Sequence, residues 1–267
     1  MFRDVFFKGL RDQRRSLLIW IASVVAYVLM MSSLFPSIRR SSADMKAYIE
    51  SMPETFRRAF MGESTDFGSA VTYLNGELFS FMTPLFVMIF AIGLAAAQIA
   101  GEEENGTLSL LLAHPVSRTR LLLQKYAVLV TGTAALCGAH LAAMAAGDVA
   151  VGMDLPAGGL IGAHVSLLLL GLAVATVTFA TGAATGRRGL TIAVGAAVGV
   201  VAYLLNIIAA MVESLSWLRR LSLFYYYGGA EPLRVGLRPA YAAVLLAVIV
   251  GAAAVAWLRF ERRDVHV

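Results

Sequence analysis

The chain has 267 residues, of which 59% are hydrophobic and 15% charged, and its mean hydropathy is +0.75. Soluble domains carry about 45–50% apolar and about 25% charged residues, so this composition excludes an ordinary soluble domain, a disordered chain and a disulfide scaffold. The formal charge of +5 would suggest nucleic acid in a soluble protein; here its placement relative to the apolar blocks decides its meaning.

Residues 1–17 set Phe2, Phe6, Leu10 and Leu17 at helical spacing, with Arg3, Lys8, Arg11 and Arg15 between them. Two readings fit: an amphipathic helix over 1–15 lying in the headgroup plane, basic face toward anionic lipid, and a solvated basic leader. Six stretches then reach the roughly 20 apolar residues a bilayer crossing needs: 16–35, 78–99, 126–147, 159–181, 190–211 and 240–258. They are continuous and rich in Ala, Leu, Val and Gly, unlike the alternating segments of a membrane barrel. The first is too long for the apolar part of a cleavable signal and lacks a small-x-small exit before Pro36, so it is predicted to be an uncleaved helix. The expected fold is an all-α membrane protein, a six-helix transmembrane bundle.

Six crossings put both termini on one side. Thirteen of the 22 Lys and Arg fall on that side, including Arg14, Arg15, Arg187, Arg188 and Arg259 beside the spans, and nine fall on the other. The positive-inside rule therefore places both termini in the cytoplasm. The net charge divides into +6 inside and −1 outside, so the excess is an orientation signal and implies no nucleic acid. All 17 acids lie outside the apolar cores, with Glu77 at an edge. Intramembrane carboxylates mark proton or cation pathways, and their absence argues against a proton-coupled carrier. The single Cys137 permits no internal disulfide.

The first outer loop, 36–77, holds Ser51-Met52-Pro53-Glu54, a capping-box-like start with Pro in the first turn. Ile49, Met52, Phe56 and Phe60 form a stripe and Gly62 is a helix stop, which predicts a short helix on the outer leaflet. In the last outer loop, Trp217 and Phe224-Tyr225-Tyr226-Tyr227 read as interface anchors. The small pairs Gly171/Ala175 and Gly195/Gly199 let helices approach closely.

The loop 100–120 between spans two and three is the most informative. Glu102, Glu103 and Glu104 favour a helix N-terminus by complementing its dipole. Leu108, Leu111 and Leu112 give one apolar face, Pro115 ends the turn, and Arg118, Arg120 and Lys125 lead back to the membrane. The pattern is a short amphipathic helix beneath the bilayer, acidic at one end and basic at the other, shaped for a groove in a cytosolic partner. His114 reads as part of that partner-facing loop. Gly101-x4-Gly106 is followed by Thr107-Leu108 where a phosphate loop needs Lys-Ser/Thr, and Gly182-x3-Gly186-Arg187-Arg188 fails in spacing, so no nucleotide site is expected. Glu102-Glu103 lacks the Arg at position 107 that a membrane prenyl-peptidase pattern requires.

His140 and His164 fall in the outer thirds of spans three and four, with Met144, Asp148, Met153 and Asp154 near in sequence. Imidazole and thioether suit copper or zinc. No His-x3-His or Cys-x-x-Cys spacing supports a metal relay, and histidines hydrogen-bonded within the bundle are the favoured reading.

Glu102-Glu103-Glu104-Asn105-Gly106-Thr107-Leu108, then Leu110-Leu111-Leu112, Pro115-Val116-Ser117-Arg118 and Lys125, resemble the first cytoplasmic loop of ABC-2 type transporter permeases. Phe260-Glu261-Arg262-Arg263-Asp264-Val265 is similar to that family's C-terminus, and Phe224-Tyr225-Tyr226 before Gly228 to its last outer loop, with Leu223 where a Pro is common. The resemblance implies a permease in a bacterial or archaeal cytoplasmic membrane, with no ATPase or cofactor of its own. It implies assembly with a second permease chain, identical or homologous, and with cytosolic ATPase subunits that hold ATP and Mg. It makes the loop from Glu102 to Arg118 a coupling helix and residues 1–15, with Phe2, Phe6, Arg11 and Arg15, a connecting helix. Because spans two and five line the family's dimer interface, Phe81, Thr83, Met88, Phe90, Tyr203 and Asn206 become candidate substrate-path residues, with plain packing as the alternative.

The function expected is the membrane-spanning subunit of an ATP-driven exporter. The rivals are an intramembrane metal-handling protein or metalloenzyme using His140 and His164, and a structural or signalling membrane protein. Apolar, Met- and Phe-bearing spans favour an amphipathic drug, peptide or lipid-like cargo over a small ion.

Overall fold

In hydrocarbon a backbone must satisfy its own N–H and C=O groups, and the apolar stretches do so as helices. A computed structural model describes residues 4–41, 51–55, 57, 68–112, 116–229 and 231–263. Every regular element among the described residues is helical: α1 (Asp4–Arg40), α2 (Ala70–Leu74), a π-helical turn (Asn75–Phe79), α3 (Met82–Gln98), α4 (Ala100–Glu104), α5 (Thr107–Leu112), α6 (Arg118–Val151), α7 (Ala157–Thr185), α8 (Arg188–Met211), a 3-10 helix (Glu213–Leu221), α9 (Leu223–Tyr227), α10 (Pro232–Val235) and α11 (Pro239–Arg262). Among the described residues six stretches are long and apolar enough to cross a membrane: Val5–Arg40, Ala70–Gln98, Arg118–Val151, Ala157–Thr185, Arg188–Met211 and Pro239–Arg262. They contain the six expected spans, apart from Ile99 at the end of the second.

α7 is the axis of the bundle, packed against α3, α6, α8, α9, α10 and α11, while α1 lies along α6. Small residues set these approaches. Gly171 faces Val87 and Thr133, and Gly199 faces Met88, whose sulfur would stand a tight 3.3 Å from an added Cβ. α8 turns Thr191, Gly195, Gly199 and Ala202 inward, so the spacing-four small pairs do serve packing. Both described chain ends sit at one end of the bundle: Gly9 lies against Val128, and Arg263 pairs with Glu103.

The structure corrects three expectations. Residues 4–15 do not form a separate in-plane helix; they run unbroken into the first span. Val5 and Gly9 are buried there, and Phe6 and Leu10 pack on the core against α6, while Phe7 is exposed. Pro36 does not end α1, which continues to Arg40, because a proline removes one helical hydrogen bond and membrane helices tolerate that loss. Finally, Phe224 and Tyr227 are not interface anchors. Both are fully buried, and the Tyr227 hydroxyl donates to the Phe79 carbonyl at 3.0 Å. Tyr225 and Tyr226 are half-buried. In the first outer loop Glu54, Thr55 and Arg57 are helical, and the Arg57 amide donates to the Pro53 carbonyl at 3.1 Å. Ile49, Phe56, Phe60 and Gly62, which carried the rest of that expectation, lie outside the described residues.

α10 and the turn after it bed onto glycines of α7. A Cβ on Gly162 would stand 2.9 Å from the Gly236 carbonyl carbon, against backbone that cannot swing aside, whereas a Cβ on Gly138 meets open space. Gly162→Ala is therefore expected to lower stability by about 1–3 kcal/mol and Gly138→Ala to leave it unchanged. Thermal unfolding of the two full-length variants in detergent checks this, and equal midpoints would contradict the packing.

Candidate functional site

The charged loop folds back on the bundle. α4 follows Ile99 directly and ends at Asn105 and Gly106, where the Gly106 amide donates to the Glu103 carbonyl at 3.0 Å. Gly106 has φ +70, a left-handed conformation that glycine adopts without Cβ strain. The reversal swings α5 against the bundle and buries Leu108 completely.

The acidic run then splits. The Lys125 ammonium, only 3% exposed as a residue, lies 2.5 Å from the Glu102 carboxylate. The Thr107 hydroxyl sits at hydrogen-bond distance from that same carboxylate and 3.0 Å from the Glu102 carbonyl. Burial pushes the Glu102 carboxyl up, but the Lys125 and Thr107 hydrogen bonds and the charges of Lys125 and Lys8 outweigh it, so its pKa falls below the ordinary value. Glu103 accepts from the Arg263 guanidinium. Arg118 donates to the carbonyls of Phe260, at 3.3 Å, and Arg263. Thr119 donates to the Glu261 carboxylate and accepts from the Trp257 indole at 3.0 Å. Loop, foot of α6 and end of α11 are thus one polar knot.

This changes the expected face of the loop. Glu102 and Glu103 are turned inward, with side chains 13% and 12% exposed, and are not free for a partner. Glu104, Asn105 and Gly106 are exposed, Leu110 is 66% exposed, and Leu111 is half-buried. The outward apolar residue is Leu110, while Leu108 faces the core. Leu112 is helical; Pro115, His114 and Phe2 lie outside the described residues. Phe6 packs on the core, whereas Arg11 and Arg15 are exposed.

The six path candidates differ in their surroundings. Thr83, Met88 and Phe90 are buried, Phe90 against Trp20 at 6.1 Å between ring centroids. Phe81 and Tyr203 stack at 4.8 Å, and Tyr203 meets Phe224 at 5.2 Å. Asn206 is buried, and its Oδ1 has no hydrogen-bond partner among the described residues.

His140 and His164 meet inside the bundle. The His164 Nδ1 lies 2.7 Å from the Leu160 carbonyl and must donate to it. In a neutral ring the His164 Nε2 then accepts from the His140 Nδ1, 2.8 Å away. The His140 Nε2 in turn accepts from the Thr83 hydroxyl at 3.0 Å. Every group has its complement, and Phe79 covers both rings edge-on at 5.6 and 5.5 Å. Two imidazoles on one tetrahedral zinc stand about 3.3 Å apart at the usual bond lengths, so the facing nitrogens leave no room for an ion. No group of three or more His, Cys, Asp or Glu able to hold a metal occurs among the described residues. The metal reading loses its geometric support.

Three contributors to the knot escaped sequence reasoning: Lys125 as the counter-ion of Glu102, Arg263 as that of Glu103, and Arg118 as the clamp on the last turn of α11. Lys125 had a signal. It is the one charge inside Leu121-Leu122-Leu123-Gln124-Lys125-Tyr126-Ala127-Val128, and a lysine at such a position needs a partner.

Fold and site together define a multi-pass helical membrane protein whose charged groups gather at the ends of its spans. Residues 4–265 match the family profile described as ABC-2 family transporter protein, and the chain belongs to that family. Its members are permeases without an ATPase, which work with separate ATPase subunits. No curated protein matches the chain.

Glu102→Gln leaves a buried ammonium without its counter-ion and is expected to cost about 3–5 kcal/mol. Glu102→Gln combined with Lys125→Met should recover part of that loss, and a double-mutant cycle on unfolding midpoints reads the coupling. Because the folded-state pKa of Glu102 is depressed, its contribution is present above the unfolded value and is lost as pH falls through the folded one. The wild-type midpoint should therefore fall more steeply in acid than that of the double variant. For the histidine chain, His164→Ala should destabilise the protein equally with and without a chelator. A chelator-dependent difference would restore the metal reading.

Proposed function

We propose that this chain is the membrane-spanning subunit of an ATP-driven exporter in a bacterial or archaeal cytoplasmic membrane, with both termini cytoplasmic and a second permease chain beside it. ATP and Mg belong to cytosolic partner subunits. The α4–α5 loop is the coupling element: the partner docks on Glu104, Asn105 and Leu110, and the knot behind them carries its movement into α6 and α11. The observation that carries this reading is the Glu102–Lys125 and Glu103–Arg263 pairing. It ties the loop to two spans and leaves the loop's outer face exposed. A ligand or partner shifts a two-state bundle only through contacts that differ between the states, and a loop fixed at both feet converts docking into such contacts. The exposed apolar face of α8, with Val200, Val201, Leu204 and Ile208, suits the second permease chain. The cargo expected is amphipathic, since the path candidates bear three aromatic rings and one thioether without charge.

Two variants separate docking from transmission. Leu110→Asp removes an exposed apolar contact and should weaken pull-down of the ATPase subunit about tenfold. Arg263→Ala should leave pull-down intact and abolish stimulation of ATP hydrolysis by the permease. Retained stimulation in Arg263→Ala would overturn the transmission role, and unchanged pull-down in Leu110→Asp the docking face.

A further inference from the structure

At the opposite end of the bundle from the knot lies a cavity of about 820 Å³, between the end of α8, the 3-10 helix, α9, α10 and the start of α11. Its wall carries two arginine–tyrosine stacks side by side. The Arg219 guanidinium lies over the Tyr225 ring, 5.4 Å from its centroid, and the Arg238 guanidinium lies over the Tyr241 ring at the same 5.4 Å. The two rings are 5.1 Å apart between centroids. All four residues line the cavity, as does Gly229, where an added Cβ would stand 3.8 Å from the Arg219 Nη2. The Arg219 guanidinium therefore sits among lining residues, and the Arg238 Nη1 reaches the Tyr241 hydroxyl at 3.5 Å. Stacking holds a guanidinium by its face and leaves the N–H donors of its edge free. Both arginines are exposed, and neither has a carboxylate partner among the described residues, whereas Arg234 in the same wall pairs with Glu231 at 3.5 Å. Tyr225 is no counter-ion either: its hydrogen bond with Tyr241 and its burial raise its pKa, so it stays a neutral phenol. The cavity thus presents two positioned cations with unspent donors, opposed by one unpaired acid, Glu213.

The rest of the lining selects the ligand's other half. Ala209, Ala210 and Met211 are the last residues of an apolar membrane-crossing stretch, and Arg238 immediately precedes another. Met211 is 39% exposed and Val212 beside it 40%, so apolar surface continues from α8 out of the cavity. A basic wall beside an apolar one, at the boundary between hydrocarbon and water, matches a molecule with an anionic head and an apolar chain. We propose that this cavity binds one amphiphile with a phosphate head, the phosphate between Arg219 and Arg238 and the chain along Met211 and Val235. Guanidinium edges give phosphate oxygens charge-assisted hydrogen bonds that an uncharged head cannot accept as strongly. A soluble phosphate shares the head and lacks the chain, so it leaves the α8 side of the cavity unused. The inference rests on the proposed membrane placement of this bundle end and not on the ATPase coupling. An amphiphile held here touches α8 and α11, the two spans that the last outer loop joins.

The test uses the full-length chain, purified in an uncharged detergent, and reads bound ligand by native mass spectrometry during titration with phosphatidylglycerol, with diacylglycerol of the same acyl chains and with glycerol 3-phosphate. Phosphatidylglycerol is expected to bind about tenfold more tightly than diacylglycerol. Arg219→Met and Arg238→Met should each weaken phosphatidylglycerol about tenfold and leave diacylglycerol unchanged. Glu213→Gln, which removes the unpaired negative charge from the lining, should tighten phosphatidylglycerol. Arg40→Met, at an exposed base of the same bundle end outside the cavity, should change nothing. Both cavity arginines are exposed, so their variants are expected to fold and to report. Equal binding of phosphatidylglycerol and diacylglycerol overturns the proposal, as does undiminished phosphatidylglycerol affinity in both arginine variants or a weaker one in Glu213→Gln. So does saturation by glycerol 3-phosphate at concentrations no higher than phosphatidylglycerol requires, which would assign the cavity to a soluble phosphate. None of these outcomes depends on the ATPase, so failure here and failure of the coupling role are separate results.

Discussion

One ion pair marks where an uncharged membrane bundle meets its charged end: Lys125 with Glu102. A buried ammonium is tolerable only with its counter-ion in place, so α6 can begin inside the bundle only if α4 closes on it. Closing α4 requires the reversal at Gly106, which in turn lays Leu108 into the core and turns Glu103 toward Arg263. The last turn of α11 is then held by Arg118, and the rest of that end follows. The opposite end obeys the same constraint by neutral means. There the carbonyl of Phe79 takes the Tyr227 hydroxyl, and Asn75 takes the Leu233 amide at 3.0 Å, which draws α9 and α10 into the bundle.

The spans were legible because periodicity was not needed to see them; continuous apolar runs of sufficient length are a local property. The central position of α7 was less so, although its Gly and Ala content hinted at close neighbours on several sides. The loop's existence and helical character could be read from Glu102 to Leu112. Its facing could not. A triplet of glutamates looks the same whether it points to water or to a lysine 23 positions away, and only the fold brings Lys125 and Arg263 within reach. The aromatic run failed for a related reason. Composition makes Tyr227 an interface residue, whereas the carbonyl of Phe79, exposed by a π-helical turn that sequence did not announce, makes it an interior one.

The two buried histidines show how a polar cluster can be structural. Each nitrogen of the pair is committed, the sequence of donors runs one way from Thr83 to Leu160, and Phe79 meets both rings edge-on. The chain ties α3, α6 and α7 together at a depth where a salt bridge would carry a far larger desolvation cost. Spans without charged side chains in their middles still need directional contacts to fix their rotation about their own axes, and neutral imidazoles supply them.

α1 has a consequence of a different kind. As one helix of 37 residues it is about 55 Å long, at 1.5 Å per residue, against a hydrocarbon layer of about 30 Å. It is seated on α6 at Gly9 and held near its far end by the Tyr73 hydroxyl on the Met31 carbonyl at 3.0 Å. A rod fixed at two points cannot change its tilt alone. The protein is therefore built with its own measure of bilayer thickness: a thinner or thicker membrane must be met by the lipids around α1, or by the whole bundle leaning with it.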